Sequence, residues 1–85
     1  MTWEEKVKMV ELLNNGSYEE AVNELFSSDD IDTQALDMFV TGFDLTKIEL
    51  LIPHKAEILK FDASELSWRS NFRLVTIQEY LTSLY

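Results

Sequence analysis

Residues 2–26 read TWEEKVKMVELLNNGSYEEAVNELF, and this stretch decides the fold. Thr2 followed by Glu5 is a capping box, a pattern with which many helices begin. Asn14-Asn15-Gly16 predicts the end of that helix, because Asn and Gly tolerate the left-handed conformation of a helix C-terminus. Between these ends, apolar residues recur at the spacing of a broad helix face: Trp3, Val7, Met9, Val10, Leu12 and Leu13.

A second helix follows the glycine almost directly. Ser17 is predicted to cap it, and Glu20 stands at the matching position of a capping box. The apolar stripe of this helix consists of Tyr18, Ala21, Val22, Leu25 and Phe26. Because the link between the two helices is short, we expect them to pack as an antiparallel αα-hairpin.

Two further helices are predicted in the middle of the chain. Asp32 or Thr33 caps the third helix, and Gly42 either ends it or permits close packing. Asp44 or Thr46 opens the fourth helix. The apolar residues of the third helix are Leu36, Phe39, Val40 and Phe43, and those of the fourth are Ile48, Leu51 and Ile52.

The last third of the chain contains two more helix patterns. Asp62 with Glu65 predicts another capping box. The final helix is predicted to begin at about Asn71 or Phe72 and to run to the end of the chain. Its apolar stripe has helical spacing and consists of Leu74, Ile77, Leu81 and Leu84, flanked by Phe72, Val75, Tyr80 and Tyr85.

With two glycines, one proline and little strand-type alternation, the sequence predicts an all-α fold. We expect one helical domain, residues 1–85, built as a compact bundle or a short stack of five to six short helices in αα-hairpins. Pro53 is unfavourable inside a helix. Residues 54–61 are therefore either a short helix or an extended segment, with 57–61 as the candidate strand.

Two segments resemble the inner stretch of an ankyrin repeat. The first is Asn15-Gly16-Ser17-Tyr18 leading into residues 21–26, and the second is Phe43-Asp44-Leu45 leading into residues 48–52. They lie 27 residues apart, counted from Tyr18 to Leu45, whereas the period of that family is about 33 residues. The resemblance implies stacked helical hairpins and identifies no binding residue.

The composition is that of a globular chain, with 46% hydrophobic residues and ten aromatic ones. Aromatic side chains bury large areas, which compensates for the small core of a short domain. No cysteine is present, so disulfides and thiolate metal sites are excluded. The first residues do not form a signal peptide, and no apolar run is long enough to cross a membrane. We therefore expect a complete, small cytoplasmic protein.

The acidic residues are concentrated in one part of the chain. Residues 9–46 contain nine acids and no Lys, Arg or His, whereas the rest of the chain holds seven acids and seven bases. The net charge of −9 therefore arises in this block. A surface of this charge favours basic partners and repels nucleic acid and anionic membranes. The nine acids are Glu11, Glu19, Glu20, Glu24, Asp29, Asp30, Asp32, Asp37 and Asp44.

Six of these acids are the predicted partner-binding residues, because they lie in the second helix, in the loop after it and at the start of the third: Glu19, Glu20, Glu24, Asp29, Asp30 and Asp32. Spaced carboxylates can imitate the phosphates of a nucleic acid. The sequence therefore predicts a small inhibitor or regulator that docks on a basic, nucleic-acid-binding surface of a partner protein. This type of protein is common in phages and mobile elements. The alternative is a solvated face that only aids solubility.

No catalytic, cofactor or metal site is predicted. His54 is the only histidine, and neither a cysteine nor a second histidine exists to complete a metal site. Residues 30–41 begin like an EF-hand loop, but Ala35 and Thr41 occupy the positions that need Gly and Glu. The sequence contains no glycine-rich phosphate loop, and its bases are not clustered. We expect a protein that is not an enzyme and binds no nucleic acid or membrane directly.

The C-terminal helix supports an alternative function, a structural or oligomerisation module. Its stripe of Leu74, Ile77, Leu81 and Leu84 would enter a partner's groove or form the seam of a homodimer. A domain of this size also needs its apolar faces for its own core, so the competing expectation is that the stripe closes that core.

Overall fold

Within residues 1–84, five α-helices and two 3-10 helices account for most positions, and 76% of the structure is helical. The structure, a computed structural model, describes residues 1–84, and no strand occurs among them. The prediction of an all-α fold is confirmed. In chain order the elements are α1 (Trp3–Asn14), α2 (Tyr18–Phe26), α3 (Thr33–Gly42), the 3-10 helix η1 (Leu45–His54), α4 (Lys55–Ile58), the 3-10 helix η2 (Ala63–Glu65) and α5 (Trp68–Ser83).

Helices α1 and α2 form the predicted antiparallel hairpin, with Lys8 of α1 opposite Glu24 of α2. The capping box at the start of α1 is present. The Glu5 N–H donates to Thr2 Oγ1 over 3.2 Å, and the Thr2 N–H donates to Glu5 Oε1 over 2.8 Å. Gly16 follows α1 with a φ of 78°, the left-handed conformation that ends many helices.

The capping box predicted for α2 is wrong. The Ser17 side chain makes no capping hydrogen bond. The Ser17 N–H donates instead to Leu12 O over 2.9 Å and so completes the end of α1. That N–H is therefore not available to the Glu20 carboxylate, which a capping box requires.

Helix α3 runs parallel to α1 and packs closely against it. At the start of α3, the Asp32 carboxylate accepts a hydrogen bond from Lys6 of α1. At the end of α3, a Cβ atom on Gly42 would lie only 3.1 Å from Leu13 Cδ1. Gly42 thus permits close packing, one of the two roles that the sequence offered. It is the last residue of α3 but is not left-handed, and the chain leaves the helix at Phe43 in an extended conformation.

Helix α5 packs on another side of α3 and is held there by polar contacts. The buried Ser70 hydroxyl donates to Asp37 Oδ1 over 2.7 Å, and the Ser67 N–H donates to Asp37 Oδ2 over 3.3 Å. One turn later, the Arg73 guanidinium donates to two backbone carbonyls at the end of α3, those of Val40 and Phe43. These contacts fix the rotation of α5 about its own axis.

One continuous core joins residues of all five α-helices and η1. Leu74, Ile77 and Leu81 belong to it, so most of the C-terminal stripe is buried in the protein's own core and is not open to a partner. Leu84 is half-buried against the same core. The buried apolar residues are Met9, Leu13, Ala21, Val22, Leu25, Ala35, Leu36, Phe39, Val40, Phe43, Leu51, Ile58, Leu66, Leu74, Ile77 and Leu81.

The predicted fourth helix is present after α3, but it is the 3-10 helix η1 and not an α-helix. Asp44 begins it by accepting a hydrogen bond from the Thr46 N–H over 2.9 Å. Lys47 departs from helical backbone angles and Pro53 lies near the end, so a regular α-helix does not form here. Residues 55–58 are α-helical, and the extended alternative for 57–61 is therefore wrong.

Helix α5 begins at Trp68, three or four residues earlier than predicted. Its first turn is closed by the Asn71 N–H, which donates to Ser67 O over 2.7 Å. The Asn71 side chain also donates to Ala63 O over 2.7 Å and ties α5 to η2. Tyr85, which the sequence predicts to flank this helix, lies outside the described residues.

The capping box predicted for Asp62 and Glu65 is also wrong. Asp62 begins η2 by accepting a hydrogen bond from the Ser64 N–H over 3.0 Å. Glu65 does not return to Asp62, because its Oε2 accepts from the Thr33 hydroxyl over 3.1 Å. The Glu65 carboxylate therefore makes a hydrogen bond to α3 in place of the predicted hydrogen bond to the Asp62 backbone.

The two faces of α5 should respond differently to truncation. Leu74 is 1% exposed and Phe72 is 70% exposed. We expect Leu74→Ala to lower the free energy of unfolding by about 2–4 kcal/mol through the cavity it leaves. Phe72→Ala should change it by no more than about 0.5 kcal/mol. Urea unfolding of dilute protein, followed by circular dichroism, measures both. Equal losses would contradict this orientation of α5.

Candidate functional site

The first turn of α2 presents the Glu19 and Glu20 carboxylates to solvent. Negative charge is favourable at this end of a helix, because the backbone N–H groups there carry partial positive charge. An open groove at the start of α2 is lined by Gly16, Tyr18 and Asn23 together with both carboxylates. The two acids therefore stand beside a depression in the surface and not on a flat helix face.

A second groove shares Tyr18 and Glu19 with the first and continues over η1, where Lys47 and Glu49 line it. Glu19 thus stands between two adjoining grooves. The Tyr18 ring packs edge-on against the buried Phe43 ring, with centroids 5.8 Å apart. Contact with a core residue holds Tyr18 in place beneath both grooves.

Glu24 lies one turn after Glu20 but is much less exposed. Its side chain is 19% exposed, and its Oε2 lies 3.5 Å from Lys8 Nζ. The sequence suggests that no base is near the acids of α2, but this lysine of α1 reaches them across the hairpin. Glu24 is therefore partly neutralised by its own chain.

Asp29 and Asp30 lie in the loop after α2, and both are exposed. The Asp30 N–H donates to Ser28 Oγ over 3.3 Å, and the Ser28 hydroxyl donates to Asp30 O over 3.1 Å. The α-amino group of Met1 lies 4.0 Å from Asp30 Oδ2. These contacts order the loop and leave the Asp30 side chain 89% exposed.

Asp32 is part of the scaffold. Its Oδ1 accepts a hydrogen bond from the Ala35 N–H over 3.0 Å and so caps α3, while its Oδ2 lies 2.7 Å from Lys6 Nζ. The same ammonium donates to Gln34 Oε1 over 2.8 Å. The hydrogen bond from Lys6 lowers the pKa of Asp32 below its ordinary value, against a smaller opposing effect of burial, and the Ala35 N–H lowers it further. Capping α3 also places this charge at a favourable helix end.

Five of the nine acids in the 9–46 block are engaged within the fold. They are Glu24, Asp30 and Asp32, which lie near positive groups, Asp37, which binds α5, and Asp44, which begins η1. The other four are exposed, as Asp30 also is, but no base in residues 1–84 lies within ion-pair distance of them. They are Glu11, Glu19, Glu20 and Asp29.

Glu11 belongs with Glu19 and Glu20 because of the register of the hairpin. Lys8 and Glu11 share one face of α1, and Glu24 and Glu20 share one face of α2. Since Lys8 faces Glu24 across an antiparallel pair, this register puts Glu11 nearer to the Glu20 end of α2 than to the Glu24 end. We call Glu11, Glu19 and Glu20 the hairpin acids. The residues that share a helix face can be predicted from the sequence, but the alignment of the two helices is known only from the contact between Lys8 and Glu24.

No protein-family model, curated protein or solved structure matches this chain. The resemblance to ankyrin repeats therefore has no support from these comparisons. The second of the two resembling stretches also falls in η1, a 3-10 helix, and does not form an α-helix.

The His54 side chain contacts two neighbouring side chains. Its ring stacks on Phe26, with centroids 4.1 Å apart and planes 5° from parallel, and its Nδ1 lies 3.8 Å from Glu57 Oε1. Within residues 1–84, no group of three or more His, Cys, Asp or Glu side chains is placed to hold a metal ion. None of the helices in that range combines the length and the apolar character needed to cross a membrane.

An exposed aromatic pair at the start of α5 was not predicted from the sequence. Trp68 is 81% exposed and Phe72 is 70% exposed. They are four residues apart and therefore share one helix face. The spacing is visible in the sequence, but a helix predicted to begin at Asn71 or Phe72 leaves Trp68 outside it.

The ion pair between Lys6 and Asp32 should show unequal effects when its two members are removed. Asp32→Ala deletes the cap of α3 and leaves a buried ammonium without its carboxylate, so we expect a loss of about 2–4 kcal/mol. Lys6→Met keeps the apolar volume and leaves only a part-exposed carboxylate, so we expect a loss below about 1 kcal/mol. Asp32→Asn keeps a capping oxygen and should fall between them. Urea unfolding measures the order, and the reverse order would contradict the structural role of Asp32.

The free energy of unfolding should fall in acid, because several carboxylates accept hydrogen bonds in the folded state that favour their ionised form. Burial would raise the pKa of Asp37, but hydrogen bonds from Ser70, Ser67 and Thr41 outweigh burial and lower it. A carboxyl whose folded pKa is below its unfolded pKa stabilises the fold above the unfolded pKa of about 4. This contribution is lost as pH falls through the folded pKa.

Asp37→Asn tests this dependence directly. The variant should be less stable than the natural chain at neutral pH. An amide has one accepting oxygen instead of two and carries no negative charge, so it cannot replace all three hydrogen bonds of the carboxylate. It should also lose less stability on acidification below about pH 4, since the titrating group is gone. Urea midpoints measured across this pH range give both quantities. An unchanged acid slope would show that Asp37 does not contribute.

Proposed function

We propose that this chain is a small, non-enzymatic protein-binding module whose hairpin acids dock on a basic surface of another protein. The basic surface would be of the kind that binds nucleic acid, and the module would act as an inhibitor or regulator by covering it. The observation that carries this proposal is the exposure of Glu11, Glu19 and Glu20 at one end of the hairpin, while most other acids of the block are engaged within the fold.

The charge around the hairpin acids favours a partner over self-neutralisation. Lys8, the nearest base of α1, lies 3.5 Å from Glu24. Lys47 lines the neighbouring groove but is not within ion-pair distance of Glu19. Single exposed ion pairs contribute only about 0.2–1 kcal/mol each. Several carboxylates together produce a potential that steers a basic surface into place and accelerates its association.

The groove at the start of α2 favours arginine as the partner's contacting residue. Glu19 and Glu20 supply carboxylate oxygens, which match the forked donors of a guanidinium group. Tyr18 lines the same groove and offers an aromatic face, on which a guanidinium can also stack. Asn23 adds a neutral side chain that both donates and accepts hydrogen bonds. Nucleic acid itself would be repelled by the same carboxylates.

Charge reversal at two of the hairpin acids tests the proposal. Glu19→Lys with Glu20→Lys should weaken binding of a short oligoarginine peptide by about tenfold. The wild-type affinity should fall as salt is added, because exposed charges are screened. Isothermal titration calorimetry at two salt concentrations measures both effects.

The matched control is Glu4→Lys with Glu57→Lys, which changes the net charge by the same amount at exposed positions outside the hairpin acids. We expect it to weaken binding by less than about threefold. If both double variants lose the same affinity, only net charge matters and the hairpin acids are not a binding site. Reversal of Glu24 would be a weaker test, because it also breaks the contact with Lys8 and any loss of binding would be ambiguous.

A further inference from the structure

Helix α5 has two apolar faces, and only one of them is in the core. Ser70, Leu74 and Ile77 are buried on the inner face. Trp68 and Phe72 each lie two residues from Ser70, which corresponds to about 200° around a helix and places them on the outer face. Val75 follows Phe72 on that outer face and is half-buried.

An outer face of this kind is typical of a helix that is covered on both sides. A helix that packs against its own protein alone normally keeps polar residues on the side facing water. Trp68 and Phe72 instead leave a contiguous aromatic surface in solvent, with the exposed Arg69 beside them. Trp, aromatic and Arg side chains are the residues most enriched at the energetic centres of protein interfaces.

The charges along α5 indicate what covers this face. Residues 66–78 contain no acid, and this is the longest acid-free stretch of the chain. Two copies of this highly acidic chain would repel each other least if they met through the surface formed by residues 66–78. Of its two bases, Arg73 donates to backbone carbonyls of α3, and Arg69 is exposed. Glu79 is exposed at the other end of the outer face.

We propose that a second copy of this chain covers the outer face of α5, with the two α5 helices packed antiparallel. The outer stripe is Trp68, Phe72, Val75 and Glu79, and its midpoint falls between Phe72 and Val75. A two-fold axis at that midpoint sets Phe72 of one copy against Val75 of the other. It also brings Arg69 within one helical turn of the partner's Glu79. A parallel arrangement would set Arg69 against the partner's Arg69 and lacks this complementarity.

The size of the surface predicts a weak dimer. Trp68 and Phe72 together expose roughly 300 Å² of largely apolar area, whereas a standard stable interface covers about 800 Å² on each partner. We therefore expect association that depends on protein concentration.

The dimer would leave the hairpin acids free. Helix α2 packs against α1 and η1, whereas α5 packs chiefly against α3 and η2, so α2 and α5 are not direct neighbours. Leu25 and Leu74 both point into the core, so the outward faces of α2 and α5 point away from it. If the proposed function also holds, the dimer presents two acidic hairpins and binds a repeated basic surface with increased avidity.

Analytical ultracentrifugation over a range of concentrations tests the dimer without any basic partner, so its outcome is independent of the proposed function. The natural chain should pass from monomer to dimer as concentration rises. Trp68→Ala with Phe72→Ala should raise the dissociation constant at least about tenfold. Trp3→Ala is the matched control, because Trp3 is 62% exposed on α1 and should leave the constant unchanged. Circular dichroism establishes that each variant is folded.

A charge swap tests the antiparallel register. Arg69→Glu and Glu79→Arg should each weaken the dimer, and the double variant should restore it, because the ion pair is re-formed with its signs exchanged. A Trp3→Phe background leaves Trp68 as the only tryptophan, and its emission should shift to shorter wavelength as the dimer forms.

A natural chain that stays monomeric at all concentrations would overturn the inference. A dimer insensitive to loss of Trp68 and Phe72 would overturn it as well. Failure of the double charge variant to recover would overturn the register.

Discussion

The buried ammonium of Lys6 is the interaction on which the arrangement of the helices most depends. It is 7% exposed and lies between Asp32 Oδ2 at 2.7 Å and Gln34 Oε1 at 2.8 Å. A buried charge is costly unless its partners stay in place, so the charged Lys6 disfavours other positions of α1 against α3. Its effect is on which arrangement forms and not on the free energy of unfolding, since an apolar residue of similar volume is expected to cost little. Helix α2 follows α1 as the second arm of the hairpin, and it packs against α1 and η1. Helix α5 then docks on α3 through the hydrogen bond between Asp37 and Ser70.

Lysines of α1 also reduce the acidic surface that residues 9–46 present. In sequence, residues 9–46 contain no base at all, which suggests one uniform acidic surface. In the folded chain, Lys6 and Lys8 come from outside the block and approach Asp32 and Glu24. Absence of bases along a stretch of chain therefore does not mean absence of bases in space. The exposed acids that have no base nearby are fewer and lie chiefly at the turn of the hairpin, where α1 offers no further lysine.

Local patterns predicted α1 almost completely, because its capping box and its glycine stop both act within a few residues. The boundaries that were missed depend on distant partners. Glu65 binds Thr33 across 32 residues, and α5 is tied to η2 through Asn71, which no capping pattern reveals. In the candidate site, too, local features could be predicted from the sequence and features that depend on distant residues could not. The exposure of Glu19 is a local property of a helix start, whereas the engagement of Asp32 depends on a lysine 26 residues away.

The exposure of Trp68 and Phe72 also follows from contacts on the opposite side of α5. A small domain gains most by burying its aromatic side chains, and a half-turn of α5 would bring both into the core. That rotation would remove Ser70 from Asp37 and withdraw the Arg73 guanidinium from the carbonyls that end α3. It would also expose Leu74 and Ile77, which are now buried. The polar contacts and the aliphatic core thus agree on one rotation, and the aromatic pair remains outside because the inner face is already complete.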